Sequence, residues 1–166
     1  EPLKENFELL KKNTIQFSNI EIFNFGLGAE NGSFKLYLSD DKENYGGVSF
    51  YSEVEGNLSE PFTECKVKNI NDVIQEHNIS SVDLIKIDTE GAEYDILTSM
   101  TDEFLKKTSW ITGELHGNRD FELLNYLNNL GFSISLNKKI DNRLFMFNAG
   151  KKEVISSLSR KEIKIL

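Results

Sequence analysis

Asp88, Glu90, Glu114 and His116 are the side chains of this 166-residue sequence whose types and placement suit acid–base chemistry. Asp88 directly follows the apolar run Val82-Asp83-Leu84-Ile85-Lys86-Ile87, and Thr89-Glu90-Gly91 turns the chain toward the next amphipathic stretch. Glu114 and His116 close a second apolar run that starts at Trp110. An imidazole with an ordinary pKa of about 6.5 can take up a proton near neutral pH. Carboxylates beside it can orient a substrate hydroxyl or deprotonate it. The same acids also suit the first turn of a helix, where the dipole favours negative charge. Asp88 and Glu90 can hold a divalent cation, but two carboxylates make an incomplete site, and no metal is expected. Glu93 reads as a solvated helix residue and His77 as a surface residue. Lys86, inside an apolar strand, is expected to reach the sheet edge or to pair with an acid.

These residues need a frame that brings them together. Leu3, Phe7 and Leu10 share one helical face, which predicts a helix over residues 3–12. Residues 20–25 read as a short apolar strand, and Phe34, Leu36 and Leu38 alternate as in an exposed strand after the turn at Asn31-Gly32. Residues 63–68 read as a strand and 70–78 as a helix that Asn69 or Asn71 starts. Residues 82–87 have the apolar density of a buried parallel strand. A helix over 92–100, a strand over 109–115, a helix over 120–130 and strands over 132–136 and 143–147 follow. Alternation of strand and helix predicts an α/β fold, a mostly parallel sheet with helices on both faces. In such sheets ligands bind beyond the carboxyl ends of the strands. That rule directs Glu1, Asn24, Asp88 and His116 toward one crevice, with Gly26 closing the strand that ends near Asn24.

Bulk properties narrow the classes. A net charge of -8 and a pI near 4.9 argue against a general phosphate-backbone binder. No nucleic-acid partner is expected. Cys65 is the only cysteine, so neither an intramolecular disulfide nor a thiolate metal cluster can form, and a reduced, cytoplasmic setting is expected. No window approaches the roughly 20 apolar residues of a membrane span, so no membrane partner is expected. One domain over residues 1–150 is expected, with a polar loop or hairpin inserted at about 39–62 and a helix or tail over 151–166. That insertion, rich in Asp, Asn, Gly and Ser, reads as a surface loop or as a lid over the site.

Leu84 to Glu93, LIKIDTEGAE, resembles the FkbM methyltransferase signature of an apolar strand, Asp, then Glu-Gly and a second Glu. Glu1-Pro2 with Leu3, Asn6 and Leu10 resembles the Glu-Pro and helix after that family's second strand. Asn24 to Gly32, NFGLGAENG, resembles its Asn-x-Ala-Leu-Gly segment, with Gly26 in place of Ala. Asn71-Asp72-Val73-Ile74 resembles the helix start before the signature. The resemblance runs from Glu1 to about Phe147. It implies a Rossmann-like, S-adenosylmethionine-dependent methyltransferase, most often an O-methyltransferase, acting on a small molecule or glycan. By that analogy Glu1 holds the ribose hydroxyls, Asn24, Gly26 and Leu27 lie at the cofactor with Gly26-Leu27 near the adenine, and Asp88 sits close to the methionine end and the acceptor. Glu90, Glu114 and His116 orient or deprotonate the acceptor.

The family's first strand and its Asp-x-Gly-Ala-x-x-Gly loop are expected ahead of Glu1. A longer chain, another segment or another subunit would supply them, or the domain no longer binds cofactor. Two alternative functions therefore stand beside methyl transfer. One is a non-catalytic, methyltransferase-like binding module. The other is a metal-dependent hydrolase using Asp88, Glu90 and Glu114.

Overall fold

The computed structural model describes residues 1–38, 49, 62–116, 118–138 and 145–157. Helix α1 (Lys4–Thr14) forms as its apolar period predicts, though none of its residues is fully buried. Strands β1 (Gly26–Gly28), β2 (Gly32–Tyr37) and β3 (Phe62–Asn69) follow. Helix α2 (Ile70–Glu76) starts at Asn69, whose side chain accepts the Asn71 N–H at 2.8 Å. Then come β4 (Leu84–Ile87), α3 (Glu93–Ser99), α4 (Asp102–Lys107), β5 (Trp110–Leu115), α5 (Asp120–Asn129), β6 (Phe132–Lys138), β7 (Phe145–Lys151) and α6 (Lys152–Ser157). The expected insertion lies outside the described residues except for Ser49 and Phe62, as do the turn at Asp141-Asn142 and residues 158–166.

The chain is mixed α/β, but the described strands form two sheets rather than one mostly parallel sheet. Their orders are β1-β3-β2 and β4-β5-β7-β6. The β1–β3 and β4–β5 pairs are parallel, whereas β2–β3, β5–β7 and β6–β7 are antiparallel. A parallel neighbour needs a crossover, and α3 with α4 supplies one between β4 and β5. Among the described residues no helix separates β1 from β2 or β6 from β7, so strand–helix alternation overstated the parallel share.

Three local expectations also change. Residues 20–25 are irregular, because apolar residues make a strand only where another backbone pairs with them, and pairing begins at Gly26. Phe23 packs instead against the rings of Phe25 and His77. Strand β4 is not fully buried: Leu84 is 56% exposed and Ile87 is the buried residue. Among the described residues β4 pairs on one side alone, with β5. Leu36, in the strand expected to be exposed, is buried.

The main core lies where α3, α4 and α5 cover the four-stranded sheet. Leu97, Leu105, Leu123 and Leu127 pack with Ile111, Leu115, Phe132 and Phe147, all almost completely buried. This apolar mass fixes β4 against β5, and so fixes what leaves their carboxyl ends.

Candidate functional site

In the parallel β4–β5 pair Ile87 lies beside Gly113, so Asp88 and Glu114 leave the two strands as neighbours. Gly113 permits this approach. A Cβ there would stand 2.1 Å from the Ile87 carbonyl oxygen, far inside contact distance.

Beyond Asp88 the chain turns through two left-handed residues, Glu90 (φ 52°) and Gly91 (φ 113°). Glycine accepts this region freely, whereas a glutamate there costs roughly 1–2 kcal/mol. Ser49 and Glu93 help to hold the turn. The Ser49 hydroxyl donates to the Glu90 carbonyl at 2.6 Å, and Ser49 exchanges two backbone hydrogen bonds with Tyr37 of β2. Glu93 accepts the Thr89 N–H at 2.8 Å, the Thr89 hydroxyl at 3.0 Å and the Gly91 N–H at 3.1 Å.

Glu93 is therefore not a solvated helix residue. It is 1% exposed, at the first position of α3, with its carboxylate folded back over the turn. On its other side it meets His116, whose Nδ1 lies 3.4 Å from Glu93 Oε1. The imidazole is 4% exposed, and its Nε2 lies 3.4 Å from Glu90 and 3.6 Å from Glu114. Lys86 pairs with Asp88 at 3.1 Å, as a lysine at a sheet edge can.

Charge and burial compete at this cluster. Burial alone would raise the Glu93 carboxyl, but hydrogen bonds from His116, Thr89 and Gly91 hold it below the usual carboxylate range. Burial alone would lower the His116 pKa. The hydrogen bond to Glu93 and the charges of Glu90, Glu93 and Asp88 outweigh it and raise the value. A histidine with a raised folded-state pKa contributes stability fully below its unfolded value of about 6.5, and that contribution is lost as pH rises through the folded value. Urea unfolding in EDTA at a series of pH values is expected to show this loss, and the His116→Gln variant to lack it. A His116 NMR titration midpoint at or below about 6.5 would contradict the assignment.

A cavity of about 390 Å³ opens between the two sheets. Its apolar wall includes Phe25, Leu27, Ile85 and Met100, and Glu1, Asp88 and Glu90 are among its polar residues. Gly26 lines it as well. Asn24 does not: its amide donates to the carbonyls of Glu1 and Pro2, at 3.0 and 3.2 Å, and so ties down the chain start. Glu114 and His116 adjoin the cavity through Glu90 rather than lining it. The four expected strand ends thus meet only in part. Glu93 and Ser49 are the residues that sequence reasoning missed. The Thr89–Glu93 spacing, i to i+4 around a glycine turn, was the available signal for the first, and Ser49 had none.

A mixed α/β chain whose acids and imidazole gather at the carboxyl ends of two parallel strands has the layout in which open α/β sheets bind ligands. Residues 1–134 match the methyltransferase FkbM domain, and the chain belongs to that family, whose membership indicates methyl transfer. It is also similar to the AMB antimetabolite synthetase AmbE of Pseudomonas aeruginosa, 30% identical over 95 residues. That match covers 55% of this chain and 4% of AmbE, so the chain spans a small fraction of that relative's length. No solved structure matches. Among the described residues no helix is long and apolar enough to cross a membrane.

Proposed function

We propose that this chain is an S-adenosylmethionine-dependent O-methyltransferase domain with the Rossmann-like layout of its family, acting on a hydroxyl of a small molecule or glycan in a reduced, cytoplasmic setting. The observation that carries the proposal is a cavity with one apolar wall and an acidic rim, opening onto the Glu90–His116–Glu114 cluster. Its volume is within the range of small-molecule sites, roughly 300–1,000 Å³. The donor set fits the cofactor: Phe25 and Leu27 offer apolar surface to an adenine, Glu1 offers a carboxylate to a ribose diol, and Asp88 offers one to an ammonium group.

Bound S-adenosylmethionine supplies a sulfonium methyl group, whose displacement by a hydroxyl oxygen gives a methyl ether, a neutral thioether and one proton. The chain must align the acceptor and take that proton. Glu90 lines the cavity and is the proton acceptor. His116, protonated more readily than an ordinary histidine, is poorly suited to be the base. It holds Glu90 and Glu114 in place, and Glu93 fixes its ring.

Calorimetric titration of S-adenosylhomocysteine into the protein at its full natural length is expected to give saturable binding, weakened in Asp88→Asn. Glu90→Gln is expected to keep that binding and to lower kcat by about 100-fold or more. No binding of S-adenosylhomocysteine would sink the proposal. Binding without any methyl transfer would move the chain to the class of non-catalytic binding modules.

A further inference from the structure

Metal-ligand types converge at one point of this site. The ligating atoms of Asp88, Glu114 and His116 all lie within 4.8 Å of one another. No atom of such a set must move by more than about 1 Å to come within the ~2.0–2.2 Å at which a divalent cation binds nitrogen or carboxylate oxygen. Asp88 follows β4, and Glu114 and His116 belong to the end of β5, so a core-supported strand pair sets their spacing.

A second observation is independent of that triangle. Behind the imidazole stands the buried carboxylate of Glu93, facing Nδ1 and itself fixed by Thr89 and Gly91. A carboxylate in that position keeps the proton of a neutral histidine on Nδ1 and directs the Nε2 lone pair outward, the support that ligating histidines usually have. Here Nε2 is aimed at Glu90 and Glu114, on the cavity side of the ring. Four carboxylates, Asp88, Glu90, Glu93 and Glu114, surround this one imidazole. Lys86, which pairs with Asp88, has a side chain 66% exposed to solvent. The expectation of no metal rested on Asp88 and Glu90 alone. The fold adds Glu114, a nitrogen donor and a carboxylate behind that donor.

We propose that Asp88, Glu114 and His116 form a binding site for a divalent cation, with Mn²⁺ the best-matched ion. Two carboxylate oxygens and one imidazole nitrogen suit Mn²⁺ better than an all-oxygen site would, and three protein ligands leave positions open for water or an acceptor oxygen. The cation replaces the proton on Nε2. A hydroxyl bound to it is more acidic, and its proton passes to Glu90, which is not one of the three ligands. This use of the cation rests on the methyl-transfer proposal above, whereas its binding does not.

Mn²⁺ titration of the full-length protein, followed by electron paramagnetic resonance of the free ion, tests the site without reference to activity. One Mn²⁺ per chain is expected, with affinity reduced at least about tenfold in Asp88→Asn and in Glu114→Gln. The Asp88 side chain is 32% exposed, so its variant is expected to stay folded, which its urea midpoint checks. No bound Mn²⁺ at about 1 mM free ion, or unchanged affinity in both variants, overturns the proposal. The two proposals fail separately. Binding of Mn²⁺ by a protein that transfers no methyl group supports the site and counts against the methyl-transfer proposal. Methyl transfer undiminished by EDTA, with no Mn²⁺ binding, removes the site and leaves methyl transfer standing.

Discussion

Replacing Glu93 with alanine is expected to lower the free energy of unfolding by about 3–5 kcal/mol, a large share of what holds a domain of this size folded. Alanine removes, at a position 1% exposed, the acceptor for the Thr89 N–H, the Thr89 hydroxyl and the Gly91 N–H together. Unsatisfied buried donors cost about 1–3 kcal/mol each. The same change leaves the His116 imidazole, 4% exposed, without the carboxylate beside Nδ1. Glu90 would have to hold its left-handed backbone without Glu93 beneath it, with the Ser49 hydrogen bond and the His116 contact among its supports. The variant is therefore expected to lose the turn, and cofactor-analogue binding with it. Urea denaturation at neutral pH measures the loss. A change below about 1 kcal/mol would show that the turn is held by other contacts.

The conservative variant separates charge from shape. Glu93→Gln keeps an oxygen that can accept from Thr89 or from His116, but it removes the negative charge that helps raise the His116 pKa. The stability cost is smaller and the histidine titrates lower. Activity then reports whether Glu93 acts only by holding the turn or also through the imidazole.

Why Glu93 escaped the sequence, while Asp88 did not, is a matter of range. Asp88 stands at the end of an apolar run and before Gly91, and both signals are local. The strand, turn and helix around it follow from them. A glutamate at the first position of a helix is most often solvated, and the Thr89–Glu93 spacing alone does not overturn that expectation. Its burial arises because the β4–β5 register carries His116 across behind it, a contact spanning 23 residues. The same limit explains the sheets. The sequence pattern located β2, β3 and β5 within a residue or two, but which strand edges meet depends on the crossovers. Helix α4 was a different kind of miss. Thr101 caps it by accepting the Phe104 N–H at 3.2 Å, and the sequence Thr-Asp-Glu-Phe announced that start. At six residues the helix is too short for its apolar period to stand out.

The strand register itself is open to test at Gly113. Gly113→Ala is expected to cost about 3 kcal/mol or more, at or above the upper end for an added methyl group in a packed core. The new Cβ would meet the Ile87 carbonyl oxygen at 2.1 Å and the Ile87 side chain at 2.8 Å. A side-chain atom can rotate away, but a backbone carbonyl in a strand pair cannot, so β4 must separate from β5. Thr112→Ala is the neighbouring control. Its half-buried hydroxyl donates to the Phe147 carbonyl at 3.3 Å, and its loss is expected to cost about 1 kcal/mol with binding retained. In Gly113→Ala, stability and binding should fall together, because the shared register places Asp88 next to Glu114 and His116. Unfolding midpoints and Mn²⁺ titration of the same samples compare the two losses. A folded Gly113→Ala protein that binds Mn²⁺ as the parent does would mean that the turn over Glu93, rather than the strand pair, sets the spacing of the site.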